Sequence, residues 1–171
     1  MILNPEDGTQ MSPAASRVAA AHRSAATIVF ALSASVVAYV VGGLFLAGRS
    51  VLGSSSDQTR MMLIVVAVVL ALGSIALRRT QLSGFRIQSV ATVRGVDGLI
   101  KHFFTITLIL AAIGEAIGLL AVLVALFGGT QLDVIVCGLV AGIVLLSNFP
   151  RRAAWERAVN FFAAGKPGSI G

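Results

Sequence analysis

The chain has 171 residues, of which 57% are hydrophobic and 12% charged, with a mean hydropathy of +0.93. Ordinary soluble domains carry about 25% charged residues, so the composition excludes a soluble globular fold and points to an integral membrane protein. A formal net charge of +6 and a pI near 11.1 would suggest nucleic acid in a soluble chain. Here the cations flank apolar runs, where they set topology and meet anionic lipid, so the bilayer is the expected partner and nucleic acid is not. The single cysteine, Cys137, excludes an internal disulfide framework and a cysteine-built metal site.

Residues 1–25 read as a cytoplasmic N-terminal tail, with Pro5, Gly8 and Pro13 keeping its first dozen residues unstructured. From Ala14 an Ala-rich segment carrying Arg17 and Arg23 leads to the membrane. The apolar run that follows is too long for a signal-peptide core, so it is read as an uncleaved first span. Span 1 covers about 27–47, and its small residues Ala31, Ser35, Ala38 and Gly42 recur at spacings of 4, 3 and 4. Such a stripe lets helix backbones approach closely in lipid, where apolar burial alone drives no association. A Gly/Ser-rich loop connects it to span 2, about 61–77, a valine- and leucine-rich run that Arg78 and Arg79 terminate.

The connector from Thr80 to His102 is the most basic part of the chain. On a helical wheel Arg79, Arg86, Arg94 and Lys101 fall within about 80° of one another. Gly84, Gly95 and Gly98 argue against one continuous helix, which predicts an interrupted, interfacial connector. Together with Arg78, Arg151 and Arg152 these cations are the expected lipid head-group contacts.

Span 3, about 103–127, is a 25-residue apolar run with Glu115 as its middle residue. A helix of that length is about 37 Å long, enough to cross a hydrocarbon core of about 30 Å with some tilt, which puts Glu115 near the bilayer midplane. An ionisable group there is normally paired, protonated or turned towards protein or water. A second small stripe, Ala111, Gly114, Gly118, Ala121 and Ala125, runs along this helix. Glu115 lies about 40° from Ala111 and about 60° from Gly118, at the edge of the stripe. Candidate hydrogen-bond partners at similar depth are Ser35 and Tyr39; no lysine, arginine or histidine lies there. Two roles stay open for Glu115: a protonated acid bridging two helices, or a proton-binding group.

Thr130 and Asp133 have capping-box spacing at the start of span 4, about 132–149, which carries Gly138 and Gly142 in a GxxxG spacing. Residues 26–149 thus form a four-span membrane domain. Pro150 opens residues 150–171, an amphipathic helix and tail in which Trp155, Ala158, Val159 and Phe162 share one face; an interfacial position with Trp155 at head-group level is expected. The fold class is all-α, a four-helix transmembrane bundle with an interfacial amphipathic C-terminal helix. Eleven lysines and arginines fall on the side of the termini and the 2/3 connector, against two on the other. This asymmetry predicts that both termini are cytoplasmic in a bacterial-type inner membrane.

The segment AAIGEAIGLLAVLVAL, Ala111 to Leu126, resembles the carboxylate helix of the c subunit of F-type ATP synthases, and the order of a span 2/3 hairpin with a basic connector is similar too. Span 2 differs from that family in having only Gly73 where the family has a glycine repeat. The resemblance implies a proton-binding role for Glu115 and assembly into a ring. In its basic connector before a span-3 glutamate and its FPRRAAWER juncture after span 4, the chain also resembles a set of small, uncharacterised four-span bacterial inner-membrane proteins. That likeness implies architecture and no activity. His22 and His102 are too far apart for a local metal motif, and no phosphate loop, nucleophile elbow or HExxH spacing occurs. No enzymatic activity, metal or cofactor is expected. The expected function is a structural or accessory subunit that self-associates or docks on a larger membrane complex; a c-like proton-binding protein is the alternative, and a small oligomeric transporter or channel the third.

Overall fold

The computed structural model describes residues 13–49 and 57–163. The expected unstructured first dozen residues, most of the 1/2 loop and the tail from Lys166 lie outside the described residues, as does the side chain of Phe162. Within them the protein is all-α: α1 Pro13–Leu46, α2 Asp57–Gln81, α3 Gly84–Leu126, α4 Gln131–Ser147 and α5 Arg152–Ala163. Among the described residues four stretches are long and apolar enough to cross a membrane, and they form a four-helix bundle.

The Ala-rich lead-in and span 1 are one helix of 34 residues, about 51 Å long. No glycine lies between Pro13 and Gly42, and a run of alanines offers the helix no reason to stop. Pro13, its first residue, stands where a missing amide proton costs nothing. The basic connector likewise joins span 3 as α3, interrupted at Gly95, whose φ of 64° and ψ of −167° are non-helical. Glycine reaches that left-handed region without a Cβ clash. Of the three glycines expected to break the connector, Gly84 opens α3, Gly95 interrupts it, and Gly98 lies in the helix that follows. Arg79, Arg86 with Arg94, and Lys101 therefore sit on three helical pieces and share no single helix face.

A short turn separates α3 from α4. Thr130 caps α4 with its side chain accepting from the Asp133 amide at 3.3 Å, while the Thr130 amide donates to Asp133 Oδ2 at 2.8 Å. Two orphan donors are satisfied reciprocally, and a carboxylate stands at the positive end of the helix.

Helix α3 touches all four other helices, and α4 touches α1 and α2, whereas α1 and α2 do not meet among the described residues. The bundle is thus a rhomb with α3 and α4 on its short diagonal and α1 and α2 at the far corners. Its core joins Val29 and Val36 of α1, Ala67 of α2, Ile117, Ala121 and Val124 of α3, and Val134, Cys137 and Ala141 of α4. Helix α2 is peripheral: only Ala67 and Ser74 are buried on it, and Val65, Val69, Leu72 and Ile75 face outwards.

A second cluster closes the basic end. Trp155 and Val159 of α5 pack against Val18 and Ala25 of α1 and against Leu99, Ile100 and Phe103 of α3. This corrects the expected placement of the C-terminal helix. Trp155 is only 4% exposed and stacks on Phe103 at 5.6 Å with the ring planes 21° apart, so the apolar side of α5 is spent on protein rather than on head groups. The fourth candidate span continues from α4 through this helix, over Gln131–Phe161.

Candidate functional site

Glu115 is carried on α3 with both neighbouring turns committed to packing. The Cβ of an alanine at Gly114 would lie 2.7 Å from Leu145 of α4, and one at Gly118 would lie 2.8 Å from Val36 of α1. Ala111 and Ala121 are buried alongside. These close approaches fix the rotation of α3, since residues one turn apart share a face. Glu115 lies about 60° round the helix from Gly118 and about 100° from Gly114, which turns it towards α1 and away from α4.

There the Tyr39 hydroxyl donates to Glu115 Oε1 at 3.3 Å, a bond between two half-buried side chains. The distance exceeds the roughly 2.5–3.0 Å usual for hydroxyl donors, so the contact is a weak one. Ser35 is not brought to the carboxyl: its hydroxyl donates to the carbonyl of Ala31 one turn back on α1, at 3.2 Å. No charged group and no metal-ligating cluster meets Glu115 among the described residues. The pair lies on the α1/α3 edge of the rhomb, across the bundle from the α2/α4 edge.

The small residues of α1 are placed differently from those of α3. Ala31 and Ala38 are exposed, and Ser35 is half-buried. Gly42 has nothing within 4 Å of where a Cβ would stand. The close approach on α1 is instead at Gly43, where an added Cβ would lie 3.0 Å from Val134 and 3.5 Å from the Ala121 carbonyl oxygen. The heptad spacing of Val29, Val36 and Gly43 on α1 is the signal that picks out this face. On α4, a Cβ added at Gly138 would lie 2.5 Å from Val40, while one at Gly142 would meet nothing within 4 Å.

The predicted head-group cations gather at one end with the N-terminal part of α1 and with α5. Arg78 donates to the Ser147 carbonyl at the end of α4, and Arg152 pairs with Glu156 at 2.6 Å. Arg79, Arg86, Arg94, Lys101 and Arg151 are exposed and have no acidic partner among the described residues. Arg17 bridges α1 to α3 through Asp97 at 2.9 Å. His22 Nε2 donates to the Pro150 carbonyl at 3.0 Å, and His102 Nε2 to the Gln81 carbonyl at 3.3 Å. Because a carbonyl only accepts, Nε2 carries the proton in both. The opposite end holds Arg60 between Asp57 and Asp133, at 3.5 and 3.7 Å.

Comparison of the chain with protein-family models, with curated proteins and with solved structures finds no match in any of the three. The likeness of span 3 to the c subunit therefore rests on the residues of that segment.

Proposed function

We propose that this four-span membrane protein is a structural or accessory subunit that self-associates or docks on a larger membrane complex, with Glu115 and Tyr39 as a hydrogen-bonded clasp at the α1/α3 edge. The observation that carries the reading is the Tyr39–Glu115 contact at 3.3 Å in the middle of a membrane-length helix. The carboxyl has a neutral donor, no cation among the described residues, and a half-open setting where another polar group from a second chain could join. The exposed small residues Ala31 and Ala38 on the neighbouring helix leave room for close approach at the same edge. With most cations at one end, the same reading places both termini in the cytoplasm of a bacterial-type inner membrane.

A second reading makes Glu115 a site of proton uptake and release, as in the c subunit that span 3 resembles; the half-buried carboxyl, without a countercharge among the described residues, favours it. Two substitutions separate them. Glu115→Gln keeps the hydrogen-bonding capacity and size of the side chain, so a clasp survives it, with assembly state and thermal stability unchanged, whereas Glu115→Ala lowers both. A proton carrier loses activity in both variants while its assembly is intact in Glu115→Gln. Loss of assembly in Glu115→Gln would count against the clasp.

A further inference from the structure

The α2/α4 edge, across the bundle from Glu115, holds a groove of roughly 570 Å³ at the basic end. Its walls are Ile75 and Leu82 on the α2 side and Ile143 on α4, and its rim is Arg78, Arg79 and Asn148. That volume is in the usual range for small-ligand sites. No carboxylate among the described residues lines it.

We propose that this groove binds one anionic phospholipid, with its phosphate held by Arg78 and Arg79 and an acyl chain laid along Ile75 and Ile143. The order of chemistry along the groove matches such a molecule from end to end. Helix α2 ends at Gln81 and α4 at Ser147, so the two arginines stand where the apolar stretches give way to polar chain. Ile75 lies about 4.5 Å deeper than Arg78 along α2, and Ile143 about 6 Å deeper than Ser147 along α4. Both isoleucines face outwards, 48% and 65% exposed, so an acyl chain can lie against them from the hydrocarbon side.

The arginines are suited to a phosphodiester. Arg78 is half-buried and one of its amines is held by the Ser147 carbonyl, which orients the guanidinium and leaves its other donors for a ligand. That carbonyl belongs to the negative end of α4, and Arg78 offsets it. Arg79 is exposed with no acidic partner among the described residues, so its charge is the one a ligand would neutralise. Guanidinium forks bind phosphate oxygens bidentately, and basic pockets between membrane helices recognise anionic head groups. A choline lipid would bring its own cation to an uncompensated Arg79. The groove between α1 and α4 lacks this logic: of its lining only Ser33 is polar, and that hydroxyl is spent on the Val29 carbonyl.

The site stands apart from Glu115, and its test does not depend on that reading. Detergent-purified full-length protein is titrated with phosphatidylglycerol and, separately, with phosphatidylcholine of the same acyl chains, and the first bound lipid is followed by native mass spectrometry. Phosphatidylglycerol should bind tighter, and Arg79→Gln should weaken it about fivefold, as removal of one cation at a membrane surface implies. Ile143→Trp, which fills the apolar wall without changing charge, should weaken it comparably. Arg94→Gln, at the same end and outside the groove, should not. Glycerol phosphate, which lacks the chains, should fail to compete at the concentrations used. An equal effect of Arg94→Gln, full binding by Ile143→Trp, equal binding of phosphatidylcholine, or competition by glycerol phosphate would overturn the site in favour of a diffuse basic collar or a simple anion contact.

Discussion

Replacing Gly118 by alanine tests the packing that positions Glu115. The added Cβ would stand 2.8 Å from one Val36 methyl, 3.2 Å from the other and 3.3 Å from its Cβ. The shortest of these is about 0.7 Å inside the roughly 3.5 Å of a comfortable carbon contact. Val36 is β-branched, has few rotamers to escape into, and is itself buried, so α1 and α3 must separate. Overpacking of this kind costs about 1–3 kcal/mol. Gly42→Ala is the matched control on the facing helix, with nothing within 4 Å of its new methyl. It should be neutral or stabilising by up to about 1 kcal/mol from the gain in helix propensity. Reversible unfolding in mixed detergent micelles reads both. Because Glu115 is three residues from Gly118, separating the helices also lengthens a Tyr39–Glu115 contact that is already 3.3 Å. Gly118→Ala should therefore shrink the coupling measured in a Tyr39→Phe, Glu115→Ala double-mutant cycle, and Gly42→Ala should not. Equal stability of Gly118→Ala and Gly42→Ala would refute the close approach of α1 and α3 from which the site is built.

Other expectations follow from single contacts. Thr130→Ala removes the cap of α4 and should cost about 1 kcal/mol by the same unfolding assay, with most of the loss recovered by Thr130→Ser. Trp155 is the only tryptophan, so intrinsic fluorescence reports on the basic-end cluster alone. Phe103→Ala removes the ring stacked on it at 5.6 Å and should red-shift its emission and cost about 3–5 kcal/mol, whereas Phe85→Ala, at a ring 84% exposed, should change neither.

The membrane fold was legible because it depends on composition in runs: four apolar stretches bounded by arginines and glycines need no partner to be recognised. The capping box at Thr130 and the interruption of the basic connector were legible for the same local reason. What depends on a neighbour's position was not. Gly42 and Gly43 are adjacent and chemically identical, and only the arrival of Val134 decides that Gly43 is the tight contact. Ser35 and Tyr39 were both candidates for Glu115, yet the short Ser35 hydroxyl returns to the Ala31 carbonyl on its own helix, while the longer Tyr39 phenol reaches across. The amphipathic face of α5 was visible, but an apolar face reads alike whether lipid or protein covers it, and Val18, Leu99 and Phe103 lie far from Trp155 in sequence. The rotation of each helix is settled by packing, and the site inherits that uncertainty from sequence.

The native mass of the protein, gently extracted with its own lipids, bears most directly on the proposed role. A small oligomer, or a defined complex with other chains, that persists in Glu115→Gln and falls apart in Glu115→Ala is the predicted result. A monomer without partners would contradict self-association and docking alike, and a large uniform ring of many copies would replace the clasp with the proton-binding reading of Glu115.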